Sequence, residues 1–122
     1  MQEQEKLIFH PISLDDRDWM NEKLREEKLE ACEYTFANNF MWAEVYDVRV
    51  ANAYGCGVIR CMGQRHVQYS FPFGNGDQRA VIVHLKKISV VYGRPLILYP
   101  ITESSRLKLM EWFPGEFEIY SD

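Results

Sequence analysis

The chain has 122 residues, 47% hydrophobic and 14% aromatic, enough to build one domain around one core, and too little Gly, Pro or low-complexity sequence for a long disordered segment. Its formal net charge is −4 and only Lys86 and Lys87 are adjacent basic residues, so it lacks the basic stripe of a duplex-binding protein, and nucleic acid is not an expected partner of this chain alone. No run approaches the ~20 apolar residues of a membrane span, and the opening "MQEQEKLIF" lacks the apolar segment of a signal peptide, so the expected location is cytoplasmic, with no membrane span.

The first strand pattern is "KLIFHPIS", with Leu7 and Phe9 on one face and Ile8 on the other. "SLDDRDWMNEKLREEKLE" predicts a helix. Ser13 is its N-cap and Asp16, three residues on, completes a near capping box, while Met20, Leu24 and Trp19 form the buried face. "YTFANNFMWAEVY" predicts a second, shorter helix capped by Thr35, with Phe36, Phe40 and Ala43 packed into the core.

Three strand patterns follow: "VRVANAY", "GVIRCM" and "VQYSFPF". In the last, Val67, Tyr69, Phe71 and Phe73 alternate with Gln68, Ser70 and Pro72. The breaks "GCG" and "GQRH" have hairpin length, which predicts an antiparallel meander. "DQRAVIVHLKKISVVYG" predicts the longest helix, with a stripe of Val81, Leu85, Ile88 and Tyr92, a Gly93 C-cap and Pro95 blocking continuation. "PLILYPI" reads as a central strand covered on both faces. "TESSRLKLMEWF" predicts a helix capped by Thr102, with Leu107, Met110 and Phe113 inward, and "EFEIYS" a final strand.

The cysteines, Cys32, Cys56 and Cys61, are odd in number, which argues against a disulfide framework. Cys56 and Cys61 fall on opposite faces of a strand, and His10, His66 and His84 are scattered, so no metal site is expected.

The predicted order is β-α-α-β-β-β-α-β-α-β, an α/β (α+β) fold with a mixed sheet and helices on both faces. This is the order of the GNAT acyltransferases. Four further stretches strengthen the likeness: "LIFHPISLDD", "YTFANNFMW", "FPFGNGD" and "LMEWFPGEFEI". In that order, and covering nearly the whole chain, they resemble the N-terminal portion of the family described as phosphatidylglycerol lysyltransferase, C-terminal domain, long a domain of unknown function. Its members resemble two GNAT-like domains in tandem. Asn39 departs from the apolar residue usual at that place. The resemblance implies that residues 1–122 form a single GNAT-like domain equivalent to the N-terminal half. The family's second half, with its basic segment, is not in this sequence. It further implies that the donor and acceptor sites lie mainly in that second half and in the groove between halves.

The stretch "FPFGNGDQRAV" carries the candidate cofactor site, Gly74, Asn75 and Gly76. Two glycines between a strand and a helix suit an anion held on backbone N–H groups, and acyl-CoA is the possible cofactor. In a GNAT loop the position of Phe71 carries Gln or Arg, and Asp77 at the helix start adds a negative charge that repels a diphosphate. The plainer reading is a strand-to-helix turn closed by an Asp cap, since short glycine motifs recur by chance. Glu44, Tyr69 and Tyr99 are candidates for proton transfer and Cys61 for a nucleophile. Each is more simply a solvated or packed residue, so the catalytic residues stay unassigned.

Two functions from different classes follow. One is a GNAT-like half of an aminoacyl- or acyltransferase, inactive alone, paired with a second GNAT-like half or with a homodimer partner. The other is an autonomous acyl-CoA-dependent N-acyltransferase. A structural or interaction module without a small ligand is a third, weaker reading.

Overall fold

A computed structural model describes residues 7–27, 36–62, 66–99 and 101–118. The fold is α+β. Strands β1 (His10–Pro11), β2 (Arg49–Ala53), β3 (Cys56–Met62) and β4 (Val67–Tyr69) form an antiparallel sheet in the order β1-β2-β3-β4. Helices α1 (Arg17–Glu27), α2 (Phe36–Met41), α3 (Ala43–Tyr46), α4 (Gln78–Tyr92) and α5 (Glu103–Trp112) surround it.

Alternation along β3 sends its side chains to two faces. On one, Ile59 and its neighbour Val50 pack with Met20 and Leu24 of α1 and with Phe73. On the other, Cys56 and Val58 pack with Val81 and Leu85 of α4. Helices therefore cover both faces. Cys56 and Cys61 stand on opposite faces, since Cys61 packs against the α1 side. A third cluster joins Ile82 of α4 to Leu109 of α5 and to Phe113, the residue after α5, across Phe71. As the alternation predicts, Leu7 and Phe9 pack on the α4 side while Ile8 is exposed.

Ser13 caps the first helical segment, which opens with a 3-10 turn at Leu14–Asp16. The capping box is complete, because the Asp16 carboxylate accepts the Ser13 N–H at 2.9 Å. Thr35 and Cys32 lie outside the described residues.

Several local expectations are corrected. The second helix is two short ones, because the chain leaves helical geometry at Trp42 (φ −98°, ψ 11°). That break resets the phase between Phe40 and Ala43, so Phe40 is exposed and Asn39 is buried, while Ala43 packs against the core; the side chain of Phe36 lies outside the described residues. The first hairpin turns at Tyr54-Gly55, not at "GCG". Ala53 pairs with Cys56, and both turn residues have positive φ (57° and 76°), the pattern of a type I′ turn.

The period-two reading of "VQYSFPF" fails after Tyr69. Arg60 pairs with Tyr69 and Gly57 bridges Phe73, so four steps on one strand oppose three on the other. Ser70 sits in this bulge, its hydroxyl accepting the Ile59 N–H at 2.9 Å. The bulge sends Phe71 towards α5 and Phe73 towards α1, both buried.

The segment 95–99 lies at the edge next to β4. It contributes one parallel bridge, Leu98 to Tyr69, instead of a central strand, and Tyr99 is exposed. In α4, Tyr92 is exposed and Ile82 takes its place in the core, because α5 covers that side. In α5 the inward stripe is Ser105, Leu109 and Phe113; Leu107 and Met110 face outward. An i, i+4 row was chosen by α4 over the i, i+3 row read from sequence. The final strand expected over 116–121 lies partly outside the described residues, and Phe117 and Glu118 are not in a strand.

Candidate functional site

The loop from Gly74 to Asp77 is held from three directions. From α1, Glu26 accepts the Asn75 N–H at 2.9 Å, with Lys23 Nζ 3.9 Å from the same carboxylate. From the β2–β3 turn, the Tyr54 carbonyl accepts the Asp77 N–H at 2.8 Å. From α4, the buried Gln78 donates its Nε2 to the Gly74 carbonyl at 3.0 Å, and its Oε1 accepts from Lys108 of α5 at 2.8 Å. Asp77 caps α4 by accepting the Ala80 N–H at 3.0 Å.

Packing explains both glycines. Gly74 has φ +112°, a conformation that side-chain-bearing residues rarely adopt. Gly76 lies so close to the hairpin turn that a Cβ there would sit 2.1 Å from the Tyr54 carbonyl oxygen and 2.5 Å from the Gly55 carbonyl carbon. The N–H groups of residues 75, 77, 78 and 80 donate within the chain. A phosphate at this helix start would have to displace or face two carboxylates, Glu26 and Asp77.

The other sequence candidates do not converge. Tyr69 and Tyr99 meet through the backbone, the Tyr99 N–H donating to the Tyr69 carbonyl at 2.9 Å. Glu44 is exposed on α3, far along the chain from both. Cys61 packs on the α1 side of the sheet and Tyr69 on the α4 side. Burial pushes the Cys61 thiol up from its ordinary value, which lowers its thiolate fraction and its nucleophilicity.

Two clefts flank the second half of α4. The larger, about 970 Å³, lies between α4, α5 and the segments 95–99 and 116–118. Tyr99, Phe117, the Lys86–Glu116 ion pair and the Glu103–Arg106 ion pair line it. The second, about 890 Å³, is lined by Phe9, Arg60, His66, Tyr69, Tyr92 and Arg94 among others. Neither includes Gly74, Asn75 or Gly76. Sequence reading missed Arg60, His66 and Arg94. They come from three separate segments, and no local spacing marks them as neighbours. A smaller cleft beside the start of α4 holds Tyr54, whose hydroxyl lies 3.2 Å from His84 Nδ1, with Arg79 and Lys87 on its wall.

No family model matches the chain, and no curated protein matches it. Among solved structures it is similar to the crystal structure of a conserved protein of unknown function from Bacteroides thetaiotaomicron, at 23% identity and a TM-score of 0.81. The match covers 90% of this chain and 37% of that one, so the chain spans little more than a third of that protein's length. The likeness is one of fold. Among the described residues, no helix is long and apolar enough to cross a membrane.

Proposed function

We propose that this chain is the N-terminal GNAT-like half of a two-half aminoacyl- or acyltransferase related to the phosphatidylglycerol lysyltransferase C-terminal family, and that it walls one side of a substrate groove without being a complete enzyme. The observation that carries this reading is the closed glycine loop. Its N–H groups at 75, 77 and 78 donate within the chain, and Glu26 and Asp77 set negative charge where a cofactor's phosphates would lie. The fold likeness supports the same reading, since it places the chain against 37% of a longer protein. So does the apolar surface of α2–α3, where Met41, Trp42, Val45 and Tyr46 are exposed together, as on a face that meets a second half. That half is another GNAT-like domain or a second copy of this chain.

The test is a thermal titration of the isolated chain with acetyl-CoA up to millimolar concentration. No shift is expected. A ligand present at a hundredfold above its Kd stabilises by about 2.7 kcal/mol, on the order of 10 °C for a domain of this size. A shift of that kind would overturn the reading in favour of an autonomous N-acyltransferase using acyl-CoA at Gly74-Asn75-Gly76. A native mass of twice 14.4 kDa by light scattering identifies the second copy as the partner.

A further inference from the structure

The second cleft combines an aromatic floor with a basic rim. Its floor is aromatic: the rings of Phe9 and Tyr69 lie 5.6 Å apart, tilted by 52°, and Tyr92 stands at its edge. Its rim is basic, with Arg60 on β3, His66 at the start of β4 and Arg94 just past α4. Arg60 and Tyr69 are paired across the β3–β4 ladder, so their side chains rise side by side on one face. No carboxylate is among the described residues that line this cleft, whereas the larger one sets Glu103, Glu116 and Glu118 against Lys86 and Arg106.

Arg17, Arg49 and Arg106 each pair with a carboxylate, but among the described residues neither Arg60 nor Arg94 has an ion-pair partner. In a chain of net charge −4, two guanidiniums that have no ion-pair partner among the described residues line one cleft with the Phe9–Tyr69 ring pair. Guanidinium suits bidentate recognition of a carboxylate or phosphate, and aromatic faces suit a flat apolar body. The C-terminus of α4 opposes an anion with roughly half a negative charge. That is the smaller effect, because the N–H groups of Gly93 and Arg94 already close on the Val90 and Ser89 carbonyls, and two full positive charges face it. The volume lies within the ~300–1,000 Å³ usual for small ligands.

We propose that this cleft binds a small aromatic acid, its ring system on Phe9, Tyr69 and Tyr92 and its anionic group held by Arg60 and Arg94. The cleft opens at the C-terminal end of the 15-residue α4, about 20 Å from the glycine loop at a rise of ~1.5 Å per residue. The proposal does not depend on the transferase reading.

The full 122-residue chain is titrated by calorimetry with 2-naphthoate. In parallel it is titrated with 2-naphthalenemethanol (the same body without the charge), with inorganic phosphate, and with vesicles of anionic phospholipid. The expected result is saturable one-to-one binding of naphthoate, weaker by about tenfold or more for the alcohol and for phosphate. Arg94→Gln, at an exposed position, weakens naphthoate by about tenfold, and Arg60→Gln does the same. Arg79→Gln, at the other end of α4, leaves it unchanged. Should Arg60→Gln fail to fold, Arg94→Gln decides. Equal affinity in Arg94→Gln, or for the uncharged alcohol, overturns the proposal. So does capture of the chain by vesicles without naphthoate binding, which assigns the basic rim to a membrane surface.

Discussion

Asp16 gathers several polar contacts at the start of the first helical segment. Its carboxylate is buried and accepts from the Ser13 N–H at 2.9 Å and from Trp19 Nε1 at 2.8 Å, with His10 Nε2 at 2.8 Å from the same oxygen as Trp19. Burial pushes its pKa up, but the hydrogen bonds of His10, Trp19 and Ser13 and the charge of His10 outweigh that, and the net shift is downward from the ordinary 3.8. A carboxyl whose folded pKa is depressed adds stability above its unfolded value and loses it as pH falls through the folded one. Stability should therefore decline as pH drops below about 4, and this part of the decline should vanish in Asp16→Asn; urea titrations across that range measure it. Asp16→Ala orphans the Trp19 and Ser13 donors and should cost about 2–3 kcal/mol, read as a lower urea midpoint at unchanged slope. Two glycines give a second residue-scale contrast. Gly76→Ala meets fixed backbone at 2.1 Å and should cost on the order of 3 kcal/mol or more. Gly93→Ala meets nothing within 4 Å, so only its φ of +65° opposes it, at about 1 kcal/mol. Thermal unfolding of the two variants should separate them clearly.

At the scale of elements, α4 shows what pattern reading can reach. Both of its caps were legible, Asp77 at the start and Gly93 at the end, because caps are set by local backbone chemistry. Asp77→Ala should cost about 1 kcal/mol by denaturant unfolding, and should raise the affinity of the loop for inorganic phosphate. Unchanged phosphate affinity would show that the Asp77 charge does not oppose an anion at the loop. The orientation of the stripes was less legible. In α5, Leu107 and Met110 matched a helical period as well as Leu109 and Phe113 do, and only contact with Ile82 and Phe71 selects between them. The bulge at Ser70 was invisible for the same reason, since a one-residue slip leaves the local alternation intact and is fixed by pairing with β3.

For the whole molecule, the class and the two covered faces of the sheet follow from the binary pattern, and these are what the sequence made legible. The second cleft was not, because Arg60, His66 and Arg94 meet only after β3, β4 and the end of α4 are assembled. The sheet also divides stability unevenly. β2 and β3 pair over five positions and carry buried residues on both faces, while the segment 95–99 holds on through one bridge to β4. Hydrogen exchange should find the β2 and β3 amides opening only with global unfolding, and the Tyr99 amide exchanging well before them. Equal protection of the two regions would show that the edge segment is part of the same core.

The turn at Tyr54 has a bearing on how such a chain folds. Tyrosine in a left-handed conformation costs roughly 1–2 kcal/mol, which burdens the β2–β3 hairpin while it stands alone. The compensating contacts come from residues more than twenty positions later: the Asp77 N–H on the Tyr54 carbonyl, and His84 beside the Tyr54 hydroxyl. Relaxing the turn with Tyr54→Asn should therefore favour the isolated hairpin yet weaken the seat of α4. Tyr54 thus adds to the coupling that the packing of Cys56 and Val58 on Val81 and Leu85 already sets between the hairpin and α4, and substitutions at Tyr54 and Gly76 should be strongly non-additive in a double-mutant cycle.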